Sequence, residues 1–334
     1  MKSASSILVT GGAGYIGSHT VHWLHRMGVP VVVLDNLVYG HQEAVPSGVP
    51  FFQGDIADEK LVPEICRNHQ VDAIIHFAAY AYVGESVTDP LKYYDNNVGR
   101  TAVLLRSATR QGCRHFVFSS TCATYGVPDR IPITENQPQH PINPYGRTKL
   151  MVEEMLRDCG KATGMGWVAL RYFNASGAQA DGAIGEDHNP ETHLIPNVFR
   201  AIQGDLRALE LYGDDYPTPD GTCVRDYIHV EDLASAHELA VRHLRNGGES
   251  LACNVGTGTG VSVREIIAAA EAVSGRKVPV EVHPRRPGDP PVLVADSSLA
   301  QRVLGWQPAH TDIRETVRSA WNWMNGPRKG HFDR

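Results

Sequence analysis

Tyr145 and Lys149 stand four residues apart in the run Tyr145-Gly146-Arg147-Thr148-Lys149. On a helix, positions i and i+4 share a face. A phenol titrates near 10 when nothing perturbs it, which makes it a poor base at neutral pH. A neighbouring ammonium favours the phenolate and lowers that value. The pair would then act as a general acid/base toward a sugar or alcohol hydroxyl. Taken alone, this spacing more often means an exposed Tyr and Lys on an amphipathic helix. What changes the weighting is Phe118-Ser119-Ser120-Thr121, which closes a strand-like run. In a doubly wound sheet the carboxyl ends of the strands face the ligand crevice. Thr121 there either shares the hydroxyl that Tyr145 deprotonates or simply caps the next turn.

A second constellation precedes this one. Gly11-Gly12-Ala13-Gly14-Tyr15-Ile16-Gly17 follows an apolar strand and opens a helix, with glycines at spacing three and three. Gly11 permits the tight turn, Gly14 lets backbone approach a pyrophosphate, and Gly17 lets helix and strand pack closely. The helix N-terminus offers free N–H groups to a diphosphate. The next strand ends in Asp35, the place for an acid on a ribose hydroxyl. No Lys or Arg occurs in 36–41 to receive a 2′-phosphate, so the pattern favours NAD over NADP. Asp55-Ile56 after the third strand would lie near the adenine, although Asp55 also reads as a helix N-cap. Phe77-Ala78-Ala79 puts small residues where the cofactor would pass, or where sheet and helix pack tightly.

The surrounding elements are those that could hold such groups. Short apolar runs at 7–10, 31–35, 51–53, 73–77, 115–119 and 167–171 alternate with helical stretches at 16–27, 59–68, 97–110 and 145–158. Strand–helix–strand in this rhythm implies parallel pairing by right-handed crossovers, hence an α/β fold with a doubly wound parallel sheet. From 174 to 224 the texture shifts to Gly, Asp, Asn, Pro and His, with one helix near 195–203. Strand 225–230 and helix 232–243 return to the first rhythm, and helices at 262–274 and 313–324 follow. We therefore expect a nucleotide-binding domain of 1–173 plus 225–255 and a smaller C-terminal α/β substrate domain of 174–224 plus 256–326, leaving a frayed tail at 327–334. The default ligand site is the cleft between them.

Composition narrows the partners. Of the 334 residues, 31 are Lys or Arg and 37 are Asp or Glu, a net charge of −6 that argues against nucleic acid as a partner. No apolar run approaches the roughly 20 residues of a membrane span. No signal peptide is evident at the N-terminus. The six Cys are scattered without a CxxC pair, which reads as reduced thiols in the cytoplasm. The 16 His include no HExxH pair and no Cys/His cluster at ligand spacing, so no metal is expected.

Together these motifs resemble the extended short-chain dehydrogenase/reductase superfamily with its Rossmann sheet. TGGAGYIGSH, VGESVTDPLKYYDNNV, NPYGRTK, LRYFNASGA and DGTCVRDYIHVEDLA resemble, more closely, the UDP-glucose 4-epimerase family, and the likeness runs from about residue 7 to 324. The resemblance implies a resident NAD and a 4-epimerisation of a UDP-sugar through a transient 4-keto sugar, which turns about its bond to the diphosphate before it is reduced again. It implies that Tyr145, Lys149 and Thr121 are catalytic. The cofactor set would be Gly11, Gly14, Tyr15, Ile16, Gly17, Asp35, Asn36, Asp55, Ile56, Phe77, Ala78, Ala79, Asn96, Tyr145, Lys149 and Phe173. Thr121 and Tyr145 would also meet the sugar. Arg225 and Arg286 would clamp the diphosphate, since a guanidinium fork suits phosphate oxygens. Asn174, His193, Leu194, Leu211, Tyr212 and Asp289 would line the rest of the nucleotide pocket, and Leu293 the sugar side. A homodimer built on the helices near 97–110 and 145–158 is implied as well.

This sequence departs from the family pattern in places. Thr121 stands where many relatives have Ser, and keeps the hydroxyl. Ala81 replaces a Lys that in many relatives reaches the cofactor, and with AYVGES it resembles UDP-xylose/UDP-arabinose 4-epimerases. Leu293 is intermediate in size at a position that gates the sugar, which keeps UDP-N-acetylhexosamines open as substrates. A nucleotide-sugar dehydratase would need an Asp-Glu pair where Cys122-Ala123 stands. A non-catalytic NAD-binding regulator would not need Thr121, Tyr145 and Lys149 together.

Overall fold

The computed structural model describes residues 5–286 and 288–332. Its centre is a seven-stranded sheet in the order β10-β6-β5-β4-β1-β2-β3. The strands are β1 (Ser6–Thr10), β2 (Val31–Asp35), β3 (Phe51–Gln53), β4 (Val71–His76), β5 (His115–Thr121), β6 (Gly166–Tyr172) and β10 (Leu251–Val255). Every pairing among them is parallel. The strand order reverses across β1 and β4, the switch point at which a crevice opens beyond the strand ends. Side chains alternate between two faces and both are apolar, as a sheet covered on both sides requires. Ile7 and Val9 of β1 belong to one buried core and Leu8 to the other.

Helices α1 (Tyr15–Arg26), α2 (Leu61–Asn68), α3 (Val83–Thr88), α4 (Pro90–Tyr93), α5 (Thr101–Arg110) and α6 (Pro144–Thr163) follow in the first half. Of these, α1 covers one face, while α2, α5 and α6 cover the other. The expected helix at 97–110 is regular only from Thr101; Tyr94–Arg100 is π-helical. A π-turn adds a residue per turn and re-aims side chains, here those of Asn96 and Asn97.

The second region holds β7 (Asn174–Ser176), α7 (Leu194–Gln203), β8 (Leu209–Tyr212), β9 (Val224–His229), α8 (Val230–Arg245), β11 (Gly260–Ser262), α9 (Val263–Ser274), β12 (Val280–His283), β13 (Val292–Leu293), α10 (Ser298–Leu304) and α11 (Ile313–Asn325). The strand read at 225–230 does not join the large sheet. It is β9, and it pairs with β7, β11 and β13. Its Val-Arg-Asp start is not the continuous apolar run of a strand buried on both faces. Buried Asp226 accepts hydrogen bonds from Thr257, Gly258 and Ala295, fixing β9 to that smaller sheet. The return to the large sheet comes through α8, packed on α1, β5 and β6, and then β10.

The tail is not frayed as far as it is described. Phe332 is 4% exposed, between Trp323 and His41, each with its ring centroid 5.0 Å away. Its backbone N–H donates to the Asp187 carboxylate at 3.0 Å. An aromatic side chain on an otherwise polar segment supplies enough apolar area to hold it down.

Candidate active site

The glycine turn is built as its residue types require. Gly11 has φ +72°, and a Cβ on it would lie 2.5 Å from the Ala78 backbone nitrogen. Gly17 sits directly on the Gly11 carbonyl, where no side chain fits. Gly14 is the N-cap of α1, with no side-chain partner for the helix's first N–H groups. A cleft opens beside it, lined on the β1–β2 side by Gly11, Gly14, Asp35 and Asn36, and on the far side by Asp55, Ile56, Phe77, Ala78, Ala79 and Asn96. Ten of the residues expected at a dinucleotide thus share one crevice. A bare helix start, a buried acid and small residues along the floor fit the pyrophosphate, ribose and backbone of NAD.

Several expected cofactor residues lie elsewhere. Ile16 packs into the core and the Tyr15 hydroxyl donates to the Gly177 carbonyl at 2.6 Å, so neither side chain lines the cleft. Phe173 is buried in a small cluster with Tyr125, Ile133 and Ala295, against which Cys122 and Leu293 pack. That cluster brings the end of β5 beside the sugar-side residue Leu293. Six lining residues escaped sequence reading, Leu34, Val38, Tyr39, Gly40, Gly54 and Tyr80, and the rings of Tyr39 and Tyr80 meet edge to face at 5.6 Å. The residue positioning Tyr80 was missed too. Buried Asn97 accepts from the Tyr80 N–H at 2.9 Å, donates to its carbonyl at 3.0 Å, and donates to Thr148 on α6 at 3.2 Å. The Asp95-Asn96-Asn97 run was the available signal, and it also reads as a helix cap.

The carboxylates in the cleft are not free. Asp35 accepts from Ala13 N–H at 2.9 Å and Leu37 N–H at 2.8 Å. Burial raises its pKa, and these N–H groups oppose the rise. Asp55 accepts from Ala57 N–H at 2.8 Å and is ion-paired with Arg100.

Tyr145 and Lys149 lie in the first turns of α6, which Asn143 caps by accepting from Gly146 N–H at 2.8 Å, with Pro144 at its first position. The Thr121 hydroxyl favours the ionised form of the Tyr145 phenol. Desolvation is nevertheless larger and pushes Tyr145 up to about 12. The Lys149 ammonium lies 5.8 Å from the centroid of the Tyr145 ring, and desolvation of the phenol outweighs any help it receives. The Lys149 ammonium donates to the Ser119 carbonyl at 2.7 Å, beside the Phe118 ring. Burial brings Lys149 itself down to about 7, against the pull of Glu153. Below the pair, Glu153 and Arg171 form a buried ion pair at 2.6 Å. Ser120 and Gln139 also donate to Glu153, and Arg171 donates to the Tyr125 hydroxyl. This network ties α6 to the ends of β5 and β6.

The other expected substrate residues lie in the second region, on its elements or the loops between them. Arg225 on β9 donates to Asp289 at 2.6 Å and sits in register with Leu293 on β13. Arg285 and Arg286 diverge. Arg285 is ion-paired with Asp215 at 2.7 Å, while the Arg286 guanidinium lies 4.0 Å from the centroid of the Tyr212 ring. Among the described residues no carboxylate pairs with Arg286, which leaves it the cation with spare charge for an anion. Leu211 is buried beside Tyr212 on β8, and Asn174 opens β7. Leu194 starts α7 and packs on the core of the second region. His193 is drawn away from a purely substrate-facing role: its Nδ1 lies 2.7 Å from Glu186 and 3.1 Å from Glu191, and these carboxylates raise its pKa despite burial. No helix among the described residues is long and apolar enough to cross a membrane.

Comparison with known proteins agrees with this geometry. Residues 7–256 match the NAD dependent epimerase/dehydratase family. The UDP-glucose 4-epimerase of Halalkalibacterium halodurans is 52% identical over 318 residues, covering 95% of each chain. The crystal structure of UDP-glucose 4-epimerase from Brucella ovis in complex with NAD is similar at TM-score 0.94 and 54% identity, covering 96% of this chain and 98% of that one. The Stenotrophomonas maltophila enzyme, with bound NAD and formylated UDP-arabinopyranose, is similar at TM-score 0.92 and 43% identity, covering 96% and 97%.

Proposed function

Since the chain belongs to the NAD dependent epimerase/dehydratase family, we propose that it is an NAD-dependent isomerase inverting C4 of a UDP-sugar, with UDP-galactose and UDP-glucose as its pair. What supports the reading is the glycine-turn cleft together with the trio Thr121, Tyr145 and Lys149, the Lys149 ammonium lying 5.8 Å from the centroid of the Tyr145 ring. Gly11, Gly14, Asp35, Asn36, Ile56 and Ala78 would hold the cofactor, with Lys149 near its reactive end. When bound, NAD supplies reversible acceptance of the C4 hydride. Tyr145 takes the proton from the C4 hydroxyl and later returns it. Thr121, whose hydroxyl favours the ionised phenol, steadies its oxygen.

Inversion requires the sugar to turn while the rest of the substrate stays fixed, so binding strength belongs on the nucleotide. Arg225 is already neutralised by Asp289, whereas Arg286 keeps its charge and stacks on Tyr212. The two therefore suit different oxygens of the diphosphate and ribose. Asn174, His193, Leu194, Leu211 and Tyr212 surround the remainder. Leu293, against the Phe173 cluster, borders the sugar.

Val83, Val87, Leu91 and Met151 are exposed on α3, α4 and α6, helices that pack on one another. We assign this apolar face to a homodimer. Six free cysteines suit a reducing compartment, and we place the enzyme in the cytoplasm.

The test is turnover of the purified protein without added cofactor, against UDP-hexoses, UDP-N-acetylhexosamines and UDP-pentoses. Conversion of UDP-galactose to UDP-glucose is expected. Higher kcat/KM on UDP-xylose would move the assignment to pentoses, and no turnover on any UDP-sugar would end it.

A further inference from the structure

The segment Glu186-Asp187-His188-Asn189-Pro190-Glu191-Thr192-His193 joins β7 to α7. Its donors stand at irregular spacing, so nothing in the sequence marks them as a set. The bend at Asn189 and Pro190 brings them together. Glu186, His188, Glu191 and His193 each present one ligand atom, and the four atoms all lie within 4.8 Å of one another. His188 Nδ1 is 3.0 Å from Glu186 and 3.9 Å from Glu191. His193 Nδ1 is 2.7 Å from Glu186 and 3.1 Å from Glu191. A tetrahedral zinc site with arms of about 2.0–2.1 Å has donor–donor edges of about 3.3 Å, and the observed separations straddle that value.

Burial adds to this. The Glu186 and Glu191 side chains are only 8% and 7% exposed. Two carboxylates this close and this little exposed favour positive charge between them, while the 42% exposed His193 leaves the cluster open to ions from solvent. Two imidazoles and two carboxylates are also a donor set that zinc accepts. The shell is preformed. Tyr15 and Tyr82 present ring edges to His188 at 6.1 Å, and the Tyr82 hydroxyl is buried without a hydrogen-bond partner among the described residues. Asp187 faces the other way, where it accepts from Phe332 N–H and pairs with His41 and His331, so the backbone of the segment is held independently of the cluster.

We propose that Glu186, His188, Glu191 and His193 bind a divalent first-row transition-metal ion, zinc foremost, which clips the 186–193 segment to the start of α7. The ion takes no part in epimerisation. It stiffens the wall that His193 and Leu194 contribute to the nucleotide pocket, and it stands whichever sugar the enzyme prefers. One other cluster among the described residues has similar composition, His229, Glu231 and His310. There both His229 nitrogens are already engaged, with Ser319 and with the Glu231 N–H.

The test uses the NAD-loaded enzyme, dialysed against a chelator and titrated calorimetrically with Zn2+ alone. One ion per chain is expected. A Co2+ derivative should show the visible absorption of a four-coordinate N/O site. His188→Ala and Glu191→Gln should each weaken Zn2+ binding by more than about 100-fold, since even outer-shell changes cost 10–100-fold. Sub-stoichiometric binding, or unchanged affinity in both variants, overturns the proposal and leaves a histidine–carboxylate hydrogen-bond network. Should a variant fail to fold, the Co2+ spectrum of the unaltered chain decides, and absence of those bands is equally fatal.

Discussion

Among the described residues Thr121 is the side chain whose hydroxyl favours the ionised form of Tyr145, and its removal has a calculable effect. A hydrogen bond to a charged group contributes about 1.5–3 kcal/mol. At about 1.4 kcal/mol per pKa unit, losing it raises the phenol by roughly one to two units. Tyr145 starts at about 12 in the protein alone, so deprotonation at neutral pH is already uphill. Thr121→Val keeps the shape of the side chain but not the hydroxyl. It should cut kcat by about 10- to 150-fold and move the acid limb of the pH–rate profile upward by roughly one to two units. Thr121→Ser keeps the donor and should stay within a few-fold of the parent. The assay is UDP-galactose turnover from pH 6 to 10, with NAD content checked by absorbance after denaturation. A Val variant as active as the parent, or a Ser variant as poor as Val, would refute the reasoning.

Tyr145→Phe should lower kcat by about 10²–10⁴-fold while NAD content and UDP binding persist; loss of cofactor with the activity would make Tyr145 a binding residue instead. Glu153→Gln strands Arg171, which is 4% exposed, without its counter-charge. It should cost about 3–5 kcal/mol in urea denaturation, and a loss below 1 kcal/mol would mean the network does not hold α6 in place. Burial depresses His19 and His237 to about 4 and His76 to about 3. The unfolded chain takes up these protons below about pH 6.5 and the native chain does not. Stability should therefore fall between pH 6.5 and 4 by up to about 1.4 kcal/mol per pH unit for each histidine. Urea midpoints that stay flat over that range would contradict this. Phe332→Ala empties the slot between Trp323 and His41 and should cost about 3 kcal/mol, read as a drop in Tm.

Local pattern and chain chemistry determined a good deal. The Gly11–Gly17 turn, the acid closing β2 and the spacing of Tyr145 and Lys149 follow from rules acting within a few residues, and so does the parallel sheet from the apolar runs alternating with helices. These were legible because backbone sterics and side-chain period act locally. What the tertiary structure alone decided involves partners distant in sequence. Lys149 donates to the Ser119 carbonyl, and burial of the phenol outweighs the help of Thr121. Strand β9 leaves the large sheet because Asp226 is claimed by 257–258 and 295. Asn97 reaches Tyr80 and Thr148 only through a π-turn. Phe332, read as loose, finds Trp323 and His41, and four donors at irregular spacing converge between β7 and α7. Desolvation and hydrogen bonding depend on which atoms surround a group, and chain order does not list those neighbours.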